Sequence, residues 1–377
     1  MAITRAFLNS QRYDEAKGGI NQTNKLPIVI NGDMAVAQRG NQTGKTAACY
    51  TAADRFYFNA INLGTWSLTQ DTDNPGFGFA HSLKYDCTSA DASPASADNL
   101  YLSMQTELRN LQMMRKGTAS AKTSTVAFWV KCTKTGNFVV ELWDRPNDRH
   151  VGKVVTINVA DTWEKKIVNF PADTSGTLSS SNARSIMMSF AFDAGSNFTS
   201  GTLPSAWGSR SDANRFVGTT LALGDNTDNN LFITGIQWEM GTYDSETMPP
   251  FQFEDGGSSL ARCQRYCFLM KASTTYTRYA HGIANSTTQA EGVVNFPVSM
   301  RGAPTLTTSG TAAEFACGDG AALVNCNSVP IVGNASTVNP GFQDIFFPTA
   351  GSLTQTEPYA LQGGNNTNTF LLFESEI

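Results

Sequence analysis

The chain has 377 residues, 16% of them charged and 41% hydrophobic, with a formal net charge of −5 and a pI near 5.3. That length allows two domains with separate cores, and the balance is too apolar for a disordered chain. The acidic charge argues against a nucleic-acid binder, which needs a basic stripe to displace counterions.

Residues 1–25 are polar without a steady period and read as an arm that orders on a partner. The stretch MAITRAFLNSQRYDEAKGG lacks the apolar core of a signal peptide, so assembly inside a cell is expected. No segment approaches the roughly 20 apolar residues of a membrane span, and no membrane insertion is expected. A first domain opens with a predicted strand at 27–30, a turn at Asn31-Gly32-Asp33 and a second extended run at 34–37. Alternation follows in Phe79, His81, Leu83, Tyr85 and Cys87, and again in Leu100, Leu102, Met104, Thr106 and Leu108. The same period marks Val126, Phe128 and Val130; Phe138, Val140 and Leu142; residues 163–170; and Ile186, Met188, Phe190 and Phe192. A last strand places Phe232, Thr234, Ile236, Trp238 and Met240 on one face, with Gln237 and Glu239 on the other. Strands of this kind with turns between them predict a two-sheet sandwich. Jelly-roll wiring fits best, because the first and last strands of such a domain can lie side by side.

Met248-Pro249-Pro250-Phe251 then forces an extended, stiff joint. Asp255-Gly256-Gly257 breaks the chain, and Ser258 or Ser259 is expected to cap a short helix carrying Leu260, Cys263, Tyr266 and Cys267. The remaining strand-like runs form another β domain. The expected class is all-β: a jelly-roll-like sandwich over 26–253, a linker and short helix over 254–271, and a smaller β-sandwich over 272–377.

The chemistry-bearing motifs are weak. Gly40–Thr46 resembles a phosphate loop but has one residue too few between its glycines and no helical pattern after it. His81, His150 and His281 lack metal-ligand spacing, and no GxSxG elbow is present. Seven cysteines without CxxC spacing fit reduced, buried thiols, the Cys263 and Cys267 pair included. A glycosidase pair drawn from Glu107, Glu141, Asp144 or Glu239 needs the fold to bring two of them together, and solvated strand faces explain them more simply. The sequons at Asn21, Asn41, Asn197, Asn285, Asn334 and Asn365 read as turn chemistry. Six tryptophans, at 66, 129, 143, 163, 207 and 238, fall in the first domain. They are either core or platforms on which a sugar ring stacks. Tyr276, Arg278 and Tyr279 offer a similar platform in the second domain. No catalytic residue, metal or cofactor is assigned, and no ligand-binding residue beyond these platforms.

Taken in order, INGDMAVAQRG, YTAADRFYF, LQMMRKGTASAKTSTVAFWVKC, TGNFVVELWD, ADTWEKKIVNFPADTSG, GSNFTSGTLPSAW, LFITGIQWEMG, LARCQRYC and VNFPVSMRGAPTL resemble a family of tailed-bacteriophage tail-fibre-like or appendage proteins common in marine phages. The chain departs from that family at Asp54-Arg55-Phe56, Gln237-Trp238-Glu239-Met240-Gly241 and Tyr266-Cys267. The resemblance implies a non-enzymatic structural protein of the virion, usually a homotrimer. Its N-terminal arm would dock on other virion proteins and its distal domain would contact a host-surface glycan. A capsid decoration or head fibre, or a polysaccharide-degrading tailspike-like enzyme, are the alternatives. Jelly rolls of this kind often tie first and last strands with calcium, for which Asn31, Asp33 and Glu239 are the residues to meet.

Overall fold

The computed structural model describes residues 26–332 and 339–377. The arm at 1–25 and the sequons at Asn21 and Asn334 lie outside the described residues. Two compact units are present, the first ending at Gly256 and the second spanning Gly257–Glu376.

The first unit is a jelly-roll-like sandwich. Its strands are β1 (Gln42–Lys45), β2 (Cys49–Tyr50), β3 (Phe56–Ile61), β4 (Thr65–Asp71), β5 (Ser82–Ser89), β6 (Asn99–Glu107) and β7 (Ser124–Cys132). They continue with β8 (Gly136–Asp144), β9 (Arg149–Ile157), β10 (Glu164–Phe170), β11 (Arg184–Ala194), β12 (Gly208–Ser209) and β13 (Asn230–Met240). One sheet runs β1-β4-β5-β13-β7-β10 and the other β12-β9-β8-β11-β6-β3-β2. The alternating residues of β6, β7, β8 and β11 point between the sheets, where Phe128 meets Phe190 at 5.0 Å and 85°. Burying each such side chain stabilises the fold by about 1.5–3 kcal/mol.

Two local expectations are corrected, and one strand is added. Residues 28–30 are buried but run through bends into a turn, and 34–37 is not a strand. The Asn31 carboxamide is the cause: it accepts from the Val36 N–H at 2.8 Å and donates to the Val36 and Asp54 carbonyls at 2.9 and 3.0 Å. Such side-chain bonds compete with a ladder for the same backbone groups. First and last strands therefore do not pair. β1 sits at a sheet edge beside β4, whereas β13 lies between β5 and β7. The turn reaches β13 instead through a 2.9 Å bond from the Ile236 N–H to the Gly32 carbonyl.

The second correction concerns β13 itself. Its register against β7 shifts between Thr234 and Gln237, where Gly235 takes φ +63°. This bulge inserts one residue, so Leu231 and Ile233 point inward and then Ile236 and Trp238 do. Phe232 and Thr234 thus belong to the outer face, opposite to the expectation from strict alternation. The added strand is β9, which sequence alternation did not reveal: Val151 and Val155 are buried but Val154 is exposed and Gly152 carries no side chain.

The helix α1 (Gly256–Gln264) begins at the last residue of the first unit and starts ahead of Ser258 and Ser259, so neither serine is its cap. Ten strands follow: β14 (Cys267–Lys271), β15 (Arg278–Ser286), β16 (Gln289–Asn295), β17 (Thr305–Thr308), β18 (Phe315–Gly318), β19 (Leu323–Asn325), β20 (Ile331–Val332), β21 (Phe342–Pro348), β22 (Pro358–Gly363) and β23 (Phe370–Glu374). They pair as β14-β23-β17 and β19-β18-β22-β15-β16-β21-β20. A separate core of Phe315, Ile345, Phe347, Leu361, Leu371 and Phe373 lies within the second unit. None of the seven cysteines is in a disulfide, and all but Cys49 are buried.

Candidate functional site

A cleft of about 470 Å³ opens in the second unit, lined among others by Tyr276, Arg278, Leu323 and Gln362. Its geometry follows from strand register. Arg278 opens β15 directly across from Gln362 of β22, and Gly318 of β18 lies opposite Ala360 on one side and Leu323 on the other. The β18–β19 turn forms a low wall. Asp319 accepts the Ala321 and Ala322 N–H groups at 2.8 and 2.7 Å, which holds its carboxyl below the usual range, and Gly320 supplies φ +94°. Tyr276, 42% exposed, sits at φ +59° with its N–H on the Gly364 carbonyl. The glycine and alanine wall leaves room, the phenol ring offers an apolar face, and Arg278 and Gln362 supply donors and an acceptor. A cleft of this size suits one or two sugar rings. Tyr279, grouped with these residues by sequence, is instead buried, with its hydroxyl on Thr369 Oγ1 at 2.7 Å.

A second aromatic surface lies on the outer face of the six-stranded sheet in the first unit. Phe77, 77% exposed, stacks on half-buried Trp129 with centroids 5.1 Å apart and planes 19° off parallel. Trp163 donates its indole N–H to Asp73 at 2.9 Å, and Lys131 pairs with the same carboxylate while lying 4.6 Å from the Phe232 ring centroid. Those partners hold the Asp73 carboxyl below its usual range against partial desolvation. Trp66, Trp207 and Trp238 are core, whereas Trp129, Trp143 and Trp163 are half-buried on outer faces. Phe128 and Trp129 do point to opposite sides of β7.

No protein family and no curated protein matches the chain. Several solved structures are similar at low identity. The enzymatically active domain of bacteriophage CBA120 tailspike protein 4 is 11% identical with a TM-score of 0.28, over 57% of this chain and 21% of that one. The family 11 carbohydrate-binding module of Clostridium thermocellum, in complex with a β-1,3-1,4-mixed-linked tetrasaccharide, is 9% identical with a TM-score of 0.28, over 54% and 98%. TmCBM61, in complex with β-1,4-galactotriose, is 10% identical with a TM-score of 0.26, over 58% and 99%. The chain thus spans about a fifth of the tailspike chain (21%).

The carboxylates singled out by sequence are held apart. Glu141 is buried on the outer face of the seven-stranded sheet, bonded to Arg215 and to His150 Nδ1 at 2.9 Å. Burial opposes its ionisation, but Arg215 and His150 outweigh that and hold its carboxyl below the usual range. Asp144, three residues on, points to the other side of β8 and pairs with Lys116. Glu107 lies on β6, four residues along from Ser103, whose row crosses Ser189 to Glu141. That is about 13 Å of strand and two strand spacings, beyond the roughly 5–9.5 Å of a glycosidase pair. Glu239 is on the opposite sheet, pushed up by burial and bonded to Gln237 at 3.1 Å.

Of the residues expected to meet at calcium, Asp33 and Glu239 both have carboxyls pushed up by burial. Asn31 is spent on backbone groups, and no cluster of three or more His, Cys, Asp or Glu side chains suited to a metal occurs among the described residues. Gln42–Lys45, inside the phosphate-loop look-alike, is an edge strand. Gln362 and Phe77 were missed by sequence reading. Gln362 is defined by register across β15, and Phe77 lies in a loop without alternation.

Proposed function

We propose that this chain is a non-catalytic, glycan-contacting structural component of a bacteriophage virion, a tail fibre or similar appendage that engages the host surface. The observation that carries the glycan part is the cleft of about 470 Å³ with the Tyr276 ring, Arg278 and Gln362 around small-residue walls. A pyranose needs an apolar face to stack on and polar groups for its hydroxyls, and that lining supplies both. None of the residues lining the cleft is a carboxylate, histidine, serine or cysteine, so the lining favours holding a saccharide over cutting it. The exposed Phe77–Trp129 stack offers a further apolar contact on the first unit. The virion part rests on the ordered resemblance of segments from about Leu26 to Leu306 to phage appendage proteins. A homotrimer would present three clefts, and avidity would turn weak single contacts into firm attachment.

Two measurements test the reading. Purified virions should contain the chain by mass spectrometry, and the full chain should bind host cells in a way that Tyr276→Ala weakens. Absence from virions would remove the appendage role, and adsorption indifferent to Tyr276→Ala would remove the cleft.

A further inference from the structure

The outer face of the seven-stranded sheet gathers arginines that the cleft does not use. Arg145 follows the end of β8, Arg184 opens β11, Arg210 follows β12, and Arg215 lies just beyond. A bulge between Arg184 and Met187 brings Arg184 to the face shared by Glu107, Gln105 and Met187. Three of the four guanidiniums converge on one indole. Arg145 and Arg210 each lie 4.0 Å from the Trp143 ring centroid, and Arg215 lies 5.0 Å from it.

Their counter-charges are unequal. Arg215 is satisfied by Glu141, and Arg210 pairs with Asp212. Asp148 accepts the Trp143 indole N–H at 3.1 Å. Arg145 and Arg184 form no ion pair with any carboxylate among the described residues; Glu107, the cross-strand neighbour of Arg184, makes none with it. Burial, and then the charges of Arg184, Arg210 and Arg215, hold the Arg145 guanidinium below the usual arginine range. Cations crowded in this way repel one another, and an anion placed among them relieves that cost. The same face also carries buried polar atoms with no protein partner: Arg210 Nε, Ser189 Oγ and Gln105 Oε1. Ser189 lies two residues along β11 from Met187, and Gln105 of β6 faces Met187, its Nε2 donating to the Ile377 carbonyl at 3.2 Å. Half-buried Tyr101 adds a ring, 5.6 Å from the Arg215 guanidinium. Planar guanidiniums beside aromatic rings suit a ligand that carries both an anionic group and a ring with an apolar face.

We propose that this face binds an acidic saccharide, its carboxylate or sulfate ester held by Arg145 and Arg184 beside Trp143, and a neighbouring hydroxyl met by Arg210. The site is separate from the Tyr276 cleft and does not depend on it. With a net charge of −5 the chain has no general attraction for polyanions, so local arginines must carry any such binding.

Titration calorimetry of the full chain tests this with four probes: oligogalacturonate, a sulfated galactan oligosaccharide, a neutral cello-oligosaccharide and inorganic sulfate. An acidic oligosaccharide should bind and the neutral one should not. Arg145→Gln and Arg184→Gln should each weaken that binding about tenfold or more and flatten its salt dependence, while Tyr276→Ala leaves it unchanged. Arg184 is exposed and Arg145 lacks an ion pair, so both variants should melt like the parent, which the same samples can confirm. Binding that survives both substitutions, inorganic sulfate bound as tightly as the oligosaccharide, or no acidic oligosaccharide bound at all would each overturn the assignment.

Discussion

The Arg215 guanidinium grips the buried Glu141 carboxylate through Nε at 3.1 Å and Nη2 at 2.8 Å, both to Oε2, while Nε also reaches Oε1 at 3.2 Å. The pair is carried on the outer face of a sheet yet is almost fully buried, 5% and 0% exposed at the two side chains. Phe216 and Tyr101 cover the guanidinium at 4.5 and 5.6 Å. Removing one partner strands the other charge in a poorly hydrated place. Arg215→Met should therefore cost about 3–5 kcal/mol in chemical denaturation. The double variant Glu141→Leu, Arg215→Met should cost clearly less than the sum of the two single changes.

Gly235 makes the second prediction. Its φ of +63° creates the β13 bulge, and a Cβ there would lie 2.7 Å from Phe79 Cζ and 3.1 Å from Trp129 Cδ1. Gly235→Ala should destabilise the first unit by roughly 1–3 kcal/mol through strain and overpacking. Thermal melting reads the loss, and a Trp129 emission shift should accompany it.

Two carboxylates give stability opposite pH slopes. Burial pushes Asp193 up to about 6, with Asp225 adding to it, although the Gly224 and Ala194 N–H groups pull the other way. Its folded value lies above the unfolded value of about 3.9, so the folded state holds more protons between them and stability falls as pH rises from about 4 to about 6. Asp193→Asn should remove that slope and gain on the order of 1–3 kcal/mol at pH 7. Glu164 behaves in the reverse sense. Partial burial is outweighed by Lys166 and by the Val159 and Asn158 donors, which bring it to about 2. Its contribution is present above the unfolded value of about 4.3 and is lost as pH falls through about 2. Denaturation midpoints from pH 2 to 8, with and without Asp193→Asn, check both signs.

The Phe77–Trp129 stack should matter more for contact than for folding. Phe77 is 77% exposed, so Phe77→Ala should change stability by less than about 1 kcal/mol. If the stack contributes to attachment, the same variant should reduce host adsorption, as read by phage-free pull-down on host cells.

Much of this fold is legible in the chain because burial on one face of a sheet imposes a period of two. Val126-Phe128-Val130 and Ile186-Met188-Phe190-Phe192 show it, and both sets point inward. The signal fails where one residue is inserted or where side-chain bonds replace the ladder. Gly235 reverses Phe232 and Thr234, and Asn31 turns an apolar 28–30 run into a buried loop. The site was less visible. Tyr276 and Arg278 stand close in sequence, but Gln362 is 84 positions beyond Arg278 and meets it through the β15–β22 register. The arginine face is assembled from four segments for the same reason, and strand pairing is not written in any one of them.

The most direct measurement is the affinity of the full chain for saccharides with and without the cleft. A glycan array of mono- to tetrasaccharides selects the probe, and titration calorimetry then compares the parent with Tyr276→Ala and Arg278→Ala. The account predicts a saccharide bound by the parent and weakened about tenfold or more by each substitution, at unchanged melting temperature. An array without binding, or a saccharide held equally well by both variants, would contradict it.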